Sequence, residues 1–317
     1  MKILITDCAT LLSNNDLDLT IFDKFGTTVK YSNITRAELL KEAVDTDIIL
    51  ANKTVIDREV FEKAEKLKYV GVFATGYNTI DIKAAKERGI PVCNAGSYST
   101  NAVAQQVIGY ILMHYTKIHM YNDFVHNDGW INSVLFSPIV FRSDEVFGKT
   151  LGIIGFGNIG RAVKRAAEGL GMKVIVTTRN PKPDGDTVFV DFDTLLKSSD
   201  IVSLHCPLTE ENADMMNAEA FAKMKDGAFF INTARGGLVD EKALFDALET
   251  GKLSAAAVDV IKKEPMPKDC ILAKAKNLII TPHTAWAPLA TRERLVEIVA
   301  GNLAAFLEGK TRNNVAV

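Results

Sequence analysis

Arg235, Glu264 and His283 stand in the segments INTARGG, VDVIKKEP and TPHTAW, each just past a short apolar run. Those runs, at 228–232, 255–258 and 278–280, read as strands of one sheet. The three side chains therefore follow the carboxyl ends of strands, where open α/β sheets bind their ligands, and can converge on one crevice. A guanidinium grips a carboxylate through two parallel hydrogen bonds. An imidazole, with an ordinary pKa of about 6.5, gains and loses its proton near neutrality. A carboxylate beside that ring favours its charged form and orients it. Any one of the three can be a loop charge or a packing group. Together they supply a carboxylate clamp, a proton donor and the donor's partner.

A second pattern lies at 151–163, LGIIGFGNIGRAV. An apolar strand runs into G-x-G-x-x-G and then into a helix, the context this motif needs to hold a dinucleotide. Gly155 permits the tight turn, Gly157 lets a pyrophosphate approach the backbone, and Gly160 lets the helix pack closely on the sheet. Amides at Asn158 and Ile159, at the positive end of the helix, face the phosphates. A nicotinamide cofactor, a clamp and a proton donor are what reduction of a 2-oxo acid requires.

The elements that must position these residues alternate strand and helix. Residues 1–98 give strands at 2–6, 47–50, 69–73 and 90–93, with helices at 36–44, 57–66 and 81–88, a parallel α/β pattern. Here Thr75 and Gly76 follow a strand in ATGYN, and their amides can hold a small anion such as a carboxylate. From 99 to 126, Val103, Val107, Ile111, His114 and Ile118 recur at helical steps, which predicts one long helix. The stretch 129–144, carrying Trp130, Phe136, Pro138 and Phe141, reads as a loop suited to a lid or a dimer contact. A second α/β unit adds strands at 151–154, 173–177, 187–190 and 201–204 to those already named, with Asp240 as the N-cap of a helix at 240–250. The amphipathic helix at 288–308 is expected to return to the first domain.

An acid about 20 residues past the glycines ordinarily binds the ribose 2′-hydroxyl of NAD. Here Thr178, Arg179 and Asn180 end that strand, and the nearest acid, Asp184, comes after two prolines. Thr178 can donate a hydrogen bond and Arg179 can pair with a 2′-phosphate, so the reading leans to NADP(H) over NAD(H).

Composition bounds the rest. A chain of 317 residues, 47% hydrophobic and 24% charged, fits about two globular domains. A net charge of −2 gives no basic excess for nucleic acid. The apolar stretch 107–113 is too short to span a membrane, and MKILITD reads as a first strand rather than a signal peptide. Cys8, Cys93, Cys206 and Cys270 are far apart, as in a reduced cytoplasmic protein. His114, His119 and His126, placed on the long helix, and His205, at a strand end, read as structural, and no spacing indicates a metal.

GFGNIG, SLHCPLT, MKDGAFFINTARGGLVDEKAL, AAAVDV…EP and TPHTAW together make the chain resemble the D-isomer-specific 2-hydroxyacid dehydrogenase family along nearly its whole length. TRNPKP and HTAWAP bring it nearest the glycerate dehydrogenases, or hydroxypyruvate reductases. The resemblance implies two doubly wound parallel-sheet α/β domains. A discontinuous flavodoxin-like domain, 1–98 with 287–317, would take the substrate. A Rossmann-type domain, 99–286, would take the dinucleotide. It also implies Arg235 for substrate, Glu264 as histidine partner and His283 as proton donor. Asp259 would contact the nicotinamide amide, Thr233, Ala234, Cys206 and Pro207 would line the cofactor, and Thr100 and Val103 would sit on the nicotinamide side. Gln105 stands where the family usually has Glu, and the acid missing at Thr178 is a second departure. Trp286, near His283, is expected to wall the site and favour a compact acid. The expected substrate is hydroxypyruvate, with glyoxylate and pyruvate (D-lactate) as alternatives. Formate dehydrogenases carry Gln in place of Glu264. After the returning helix, no extra regulatory domain of the kind common in phosphoglycerate dehydrogenases is expected. Some relatives are NAD-sensing corepressors, a binding role that an intact triad does not exclude. The resemblance further implies a homodimer.

Overall fold

The computed structural model describes residues 1–317 and divides into two compact units, Met1–Ser99 with Trp286–Val317, and Thr100–Ala285. Ser99 and Trp286, expected in the cofactor domain, fall in the first unit. The Trp286 ring sets its edge against Tyr98 at 6.3 Å and packs on that unit's core.

The first unit holds five strands: β1 (Lys2–Ile5), β2 (Thr27–Lys30), β3 (Ile48–Ala51), β4 (Tyr69–Val72) and β5 (Val92–Cys93), in the order β2-β1-β3-β4-β5. All pairings are parallel. Side chains alternate across the sheet, so Ile3 and Ile5 pack with Leu295, Val299 and Leu303 of the last helix, Leu289–Leu307, while Leu4 packs with Leu39, Val60 and Phe61. Strand β2 escaped the sequence reading. It is a half-exposed edge strand, TTVK, with no apolar run to mark it.

The second unit holds seven parallel strands: β6 (Thr150–Ile154), β7 (Lys173–Thr177), β8 (Val188–Phe189), β9 (Ile201–Leu204), β10 (Ala228–Asn232), β11 (Leu253–Val258) and β12 (Leu278–Ile280), ordered β12-β11-β10-β9-β6-β7-β8. The chain winds outward from β6 in one direction as far as β8, then returns to β9 on the other side. The strand order therefore reverses between β6 and β9, the crevice where doubly wound sheets bind dinucleotides. Buried strands such as AFFIN serve both faces. Phe229 and Ile231 join the layer under helices Thr100–Thr116 and Asn158–Gly169, and Phe230 joins the layer under the opposite helices.

The single long helix expected at 99–126 is two helices, Thr100–Thr116 and Ile118–His126. Lys117 adopts the left-handed conformation, φ 56°, and ends the first. No glycine or proline marks the break, and the apolar period runs straight through it. Val103, Val107, Tyr110, Ile111 and Tyr115 of the first helix are buried, whereas the second buries nothing and leaves Ile118 65% exposed. His119 and His126 thus belong to a separate surface helix. His114 stacks on Phe229 at 4.3 Å, and burial pushes its pKa down to about 4. His205 bonds Ser203 Oγ at 2.9 Å and is pushed down to about 4 by the same cause. Both rings are neutral at pH 7. No helix is long and apolar enough to cross a membrane.

Candidate active site

In the second unit the glycine turn leaves β6 at its carboxyl end. Gly155 has φ 96°, and a Cβ there would sit 2.6 Å from the Cys206 nitrogen, so the turn lies against the backbone that follows β9. A Cβ on Gly160 would collide with the Gly155 carbonyl and press Ile153, so the helix starts as close to the sheet as a bare backbone allows. Gly157 differs. It is the N-cap of helix Asn158–Gly169, has no side chain to cap it, and a Cβ there would meet nothing within 4 Å. That open space at the start of the helix leaves room for a pyrophosphate. Asn158 is exposed and Ile159 half-buried at this rim. Gly157→Ala should therefore leave the melting temperature within a few degrees of wild type. It should weaken dinucleotide binding by about 10- to 100-fold, the worth of one hydrogen bond to a charged group. Thermal melts beside a fluorescence titration with NADH read both.

The rest of the expected cofactor wall lies on neighbouring strand ends. Cys206 is half-buried, its thiol pushed up by burial, and Pro207 is exposed with its carbonyl accepting from the Asn212 amide at 2.8 Å. Thr233 carries a buried hydroxyl with no hydrogen-bond partner, next to half-buried Ala234. Such an orphan at the end of β10 fits a bound polar group. Thr178 is half-buried and Arg179 exposed at the end of β7. Arg179 lies 3.6 Å from Glu211, a pairing the sequence reading missed because 31 residues separate the two. Asp184, the first acid beyond β7, is paired with Arg161. On helix Thr100–Thr116, Val103 is buried, Thr100 half-buried and Gln105 exposed.

Arg235, Glu264 and His283 follow β10, β11 and β12, three adjacent strands. Buried Asn232 closes the turn before Arg235. Its amide donates to the Arg235 carbonyl at 2.9 Å, and its side-chain oxygen accepts from the Ala234 N–H at 3.0 Å. One Arg235 N–H donates to the Ala234 carbonyl at 2.7 Å, which commits a single donor of the guanidinium's five. Gly236 lies so close to the Ile261–Lys262 backbone that any Cβ would overlap it, which ties this turn to the segment carrying Glu264. The Glu264 carboxylate accepts from the Ile261 N–H at 3.1 Å through Oε1 and meets His283 Nδ1 at 2.7 Å through Oε2. The imidazole is thus held by a carboxylate that is itself held by backbone. His283 has φ 54°, a strained shape for a residue with a Cβ.

Asp259, only 2% exposed, secures that turn. Its carboxylate accepts from the Thr281 hydroxyl at 2.5 Å and from the Thr284 and Ala285 N–H groups at 2.8 and 2.9 Å. Three of its roughly four acceptor positions are filled by its own chain, which leaves room for one amide donor from a ligand.

In the first unit, exposed Thr75 and half-buried Gly76 lie beyond the carboxyl end of β4. The Thr75 hydroxyl donates to the Gly96 carbonyl, and the Asn94 side-chain amide donates to the Thr75 carbonyl at 2.8 Å, so this turn is braced from the strand beside it.

Comparison with known proteins gives a concordant result. Residues 108–285 match the family described as D-isomer specific 2-hydroxyacid dehydrogenase, NAD binding domain. A hydroxypyruvate reductase of Blautia hydrogenotrophica is 40% identical, the match covering 99% of each chain. A glyoxylate reductase of Thermococcus litoralis is 39% identical over 88% of this chain and 86% of its own. Among solved structures, an acyclic imino acid reductase in complex with NADPH and D-Arg superposes with a TM-score of 0.87 at 29% identity, covering 99% of this chain and all of that one. A strand order that reverses at the glycine turn, and kinship along the whole sequence, lead to one conclusion: the chain belongs to the D-isomer specific 2-hydroxyacid dehydrogenases, oxidoreductases that act on CH–OH groups with a nicotinamide cofactor.

Proposed function

We propose that this chain reduces a small 2-oxo acid to the D-2-hydroxy acid, with hydroxypyruvate as the preferred substrate and D-glycerate as product. The observation that carries the reading is the 2.7 Å contact between His283 Nδ1 and a braced Glu264, one strand away from the Arg235 turn. A nicotinamide dinucleotide supplies the hydride when bound. Arg235 holds the substrate carboxylate. His283, with Nδ1 directed to Glu264, gives its proton from Nε2 to the oxygen that becomes the hydroxyl. Glu264 accepts from the Nδ1 side of the ring and so fixes its orientation and tautomer. Thr100, Val103, Cys206, Pro207, Thr233, Ala234 and Asp259 take the cofactor together with the glycine turn. The substrate preference is supported by the relative named hydroxypyruvate reductase, and glyoxylate stands second through the relative named glyoxylate reductase.

The cofactor preference is NADPH. Thr178 and Arg179 end β7 without an acid, and the imino acid reductase of similar fold was solved with NADPH. The Arg179–Glu211 pair is exposed on both sides and so contributes at most about 1 kcal/mol, less than a 2′-phosphate offers the same guanidinium. Initial rates for hydroxypyruvate, glyoxylate and pyruvate with NADH and NADPH in parallel test both choices. Arg179→Ala should lower the NADPH-to-NADH ratio of kcat/KM by about tenfold. A wild-type preference for NADH overturns the cofactor reading. Dinucleotide binding with negligible turnover of all three acids overturns the enzymatic one in favour of a sensor.

Two copies are proposed to pair through 118–147. There Ile131, Val134, Phe136 and Ile139 are each more than 80% exposed, and apolar side chains exposed together in one segment mark an interaction surface. The solution mass is then twice 34.7 kDa. Four cysteines without a disulfide fit a cytoplasmic location.

A further inference from the structure

Tyr110 is 3% exposed on helix Thr100–Thr116, inside an otherwise apolar layer that includes Val107, Ile111 and Ile231. A buried hydroxyl there is costly unless partnered. Its partner is Thr281 Oγ1, at 2.5 Å and 171 residues away, two positions before His283. Thr281 Oγ1 also lies 2.5 Å from Asp259 Oδ1.

The direction of this chain follows from counting protons. Threonine has one hydroxyl hydrogen, and the Asp259 carboxylate, already facing two backbone N–H groups, serves as an acceptor. Thr281 therefore donates to Asp259, and Tyr110 must donate to Thr281. Asp259 in turn binds four groups of the 281–285 turn: the Thr281 hydroxyl and the N–H groups of His283, Thr284 and Ala285, the His283 bond going to the Asp259 carbonyl at 2.8 Å. A residue at φ 54° keeps that shape only where its surroundings over-determine it.

We propose that Tyr110 is a positioning residue, whose hydroxyl acts through Thr281 and Asp259 to hold the strained turn that aims His283. The proposal rests on the reading of His283 as proton donor. Without the Tyr110 hydroxyl, Thr281 loses a donor and its bond to Asp259 weakens, because linked hydrogen bonds polarise one another. The turn then relaxes part of the time and the imidazole is misaimed, while the glycine turn and the Arg235 clamp, which share no bond with Tyr110 or Thr281, stay in place.

The test is Tyr110→Phe in the full chain, with hydroxypyruvate and reduced dinucleotide in single-turnover stopped flow. The hydride-transfer rate should fall by about 3- to 10-fold, the worth of one neutral hydrogen bond. KM for hydroxypyruvate, dinucleotide affinity and melting temperature should change little. Thr281→Val should cost at least as much, Thr281→Ser should restore the rate, and Tyr110→Phe added to Thr281→Val should cost nothing further. A wild-type rate in Tyr110→Phe, or losses that simply multiply in the double variant, overturns the proposal. If His283→Asn keeps full turnover, the proton-donor reading falls and takes this one with it. If His283→Asn is inactive while Tyr110→Phe is unimpaired, only the role of Tyr110 falls.

Discussion

His283→Asn is expected to lower kcat by about 10²- to 10⁴-fold, the usual loss when a general acid is removed, while reduced dinucleotide still binds. Asparagine is the informative choice because His283 sits at φ 54°. Asparagine tolerates the left-handed region, so the 281–285 turn keeps its bonds to Asp259. Alanine there adds a backbone cost of about 1 kcal/mol or more and mixes a folding defect with the chemical one. The amide of asparagine cannot deliver a proton near neutral pH, so the hydroxy acid's oxygen must be protonated by water instead. Single-turnover rates, beside a dinucleotide titration by nicotinamide fluorescence, separate the two effects. A variant that turns over as fast as wild type removes His283 from the mechanism. One that no longer binds dinucleotide assigns the residue to the cofactor site.

The parts of this site that the sequence made legible share one property: their signals are local. GFGNIG follows its strand directly, and Arg235, Glu264 and His283 each stand a few residues past an apolar run. Parallel strands buried on both faces are continuous apolar segments, which is why β9 and β10 were readable to the residue. Edge strands are short and half-polar, so β2 went unseen and β8 came out at two residues instead of four. The left-handed turn at Lys117 was invisible because a residue of ordinary propensity adopts it under tertiary constraint. Contacts between distant segments were equally hidden. Nothing near Arg179 announces Glu211, and nothing near Thr281 announces Tyr110. Asp259 was noticed only as a cofactor contact. Its hold on the histidine turn required the geometry of β11 and β12 side by side.

Arg235→Ala should reduce kcat/KM for hydroxypyruvate by about 2–5 kcal/mol, roughly 30- to 5,000-fold, the cost of leaving a desolvated carboxylate without its cation. The loss should fall on the acid and not on the cofactor. Asn232 and Gly236 fix the turn independently of the guanidinium, so its removal leaves the backbone after β10 in place. With one N–H spent on the Ala234 carbonyl, the remaining fork can still meet two carboxylate oxygens at once. Arg235→Lys keeps the charge but replaces the planar fork with a single ammonium, and is expected to recover only part of the loss. Comparing hydroxypyruvate with its uncharged amide makes the assignment specific. The wild-type chain should favour the acid strongly, and Arg235→Ala should erase that preference while leaving turnover of the amide nearly unchanged. If the variant instead weakens dinucleotide binding and keeps its preference for the acid, Arg235 belongs to the cofactor wall and the carboxylate clamp lies elsewhere.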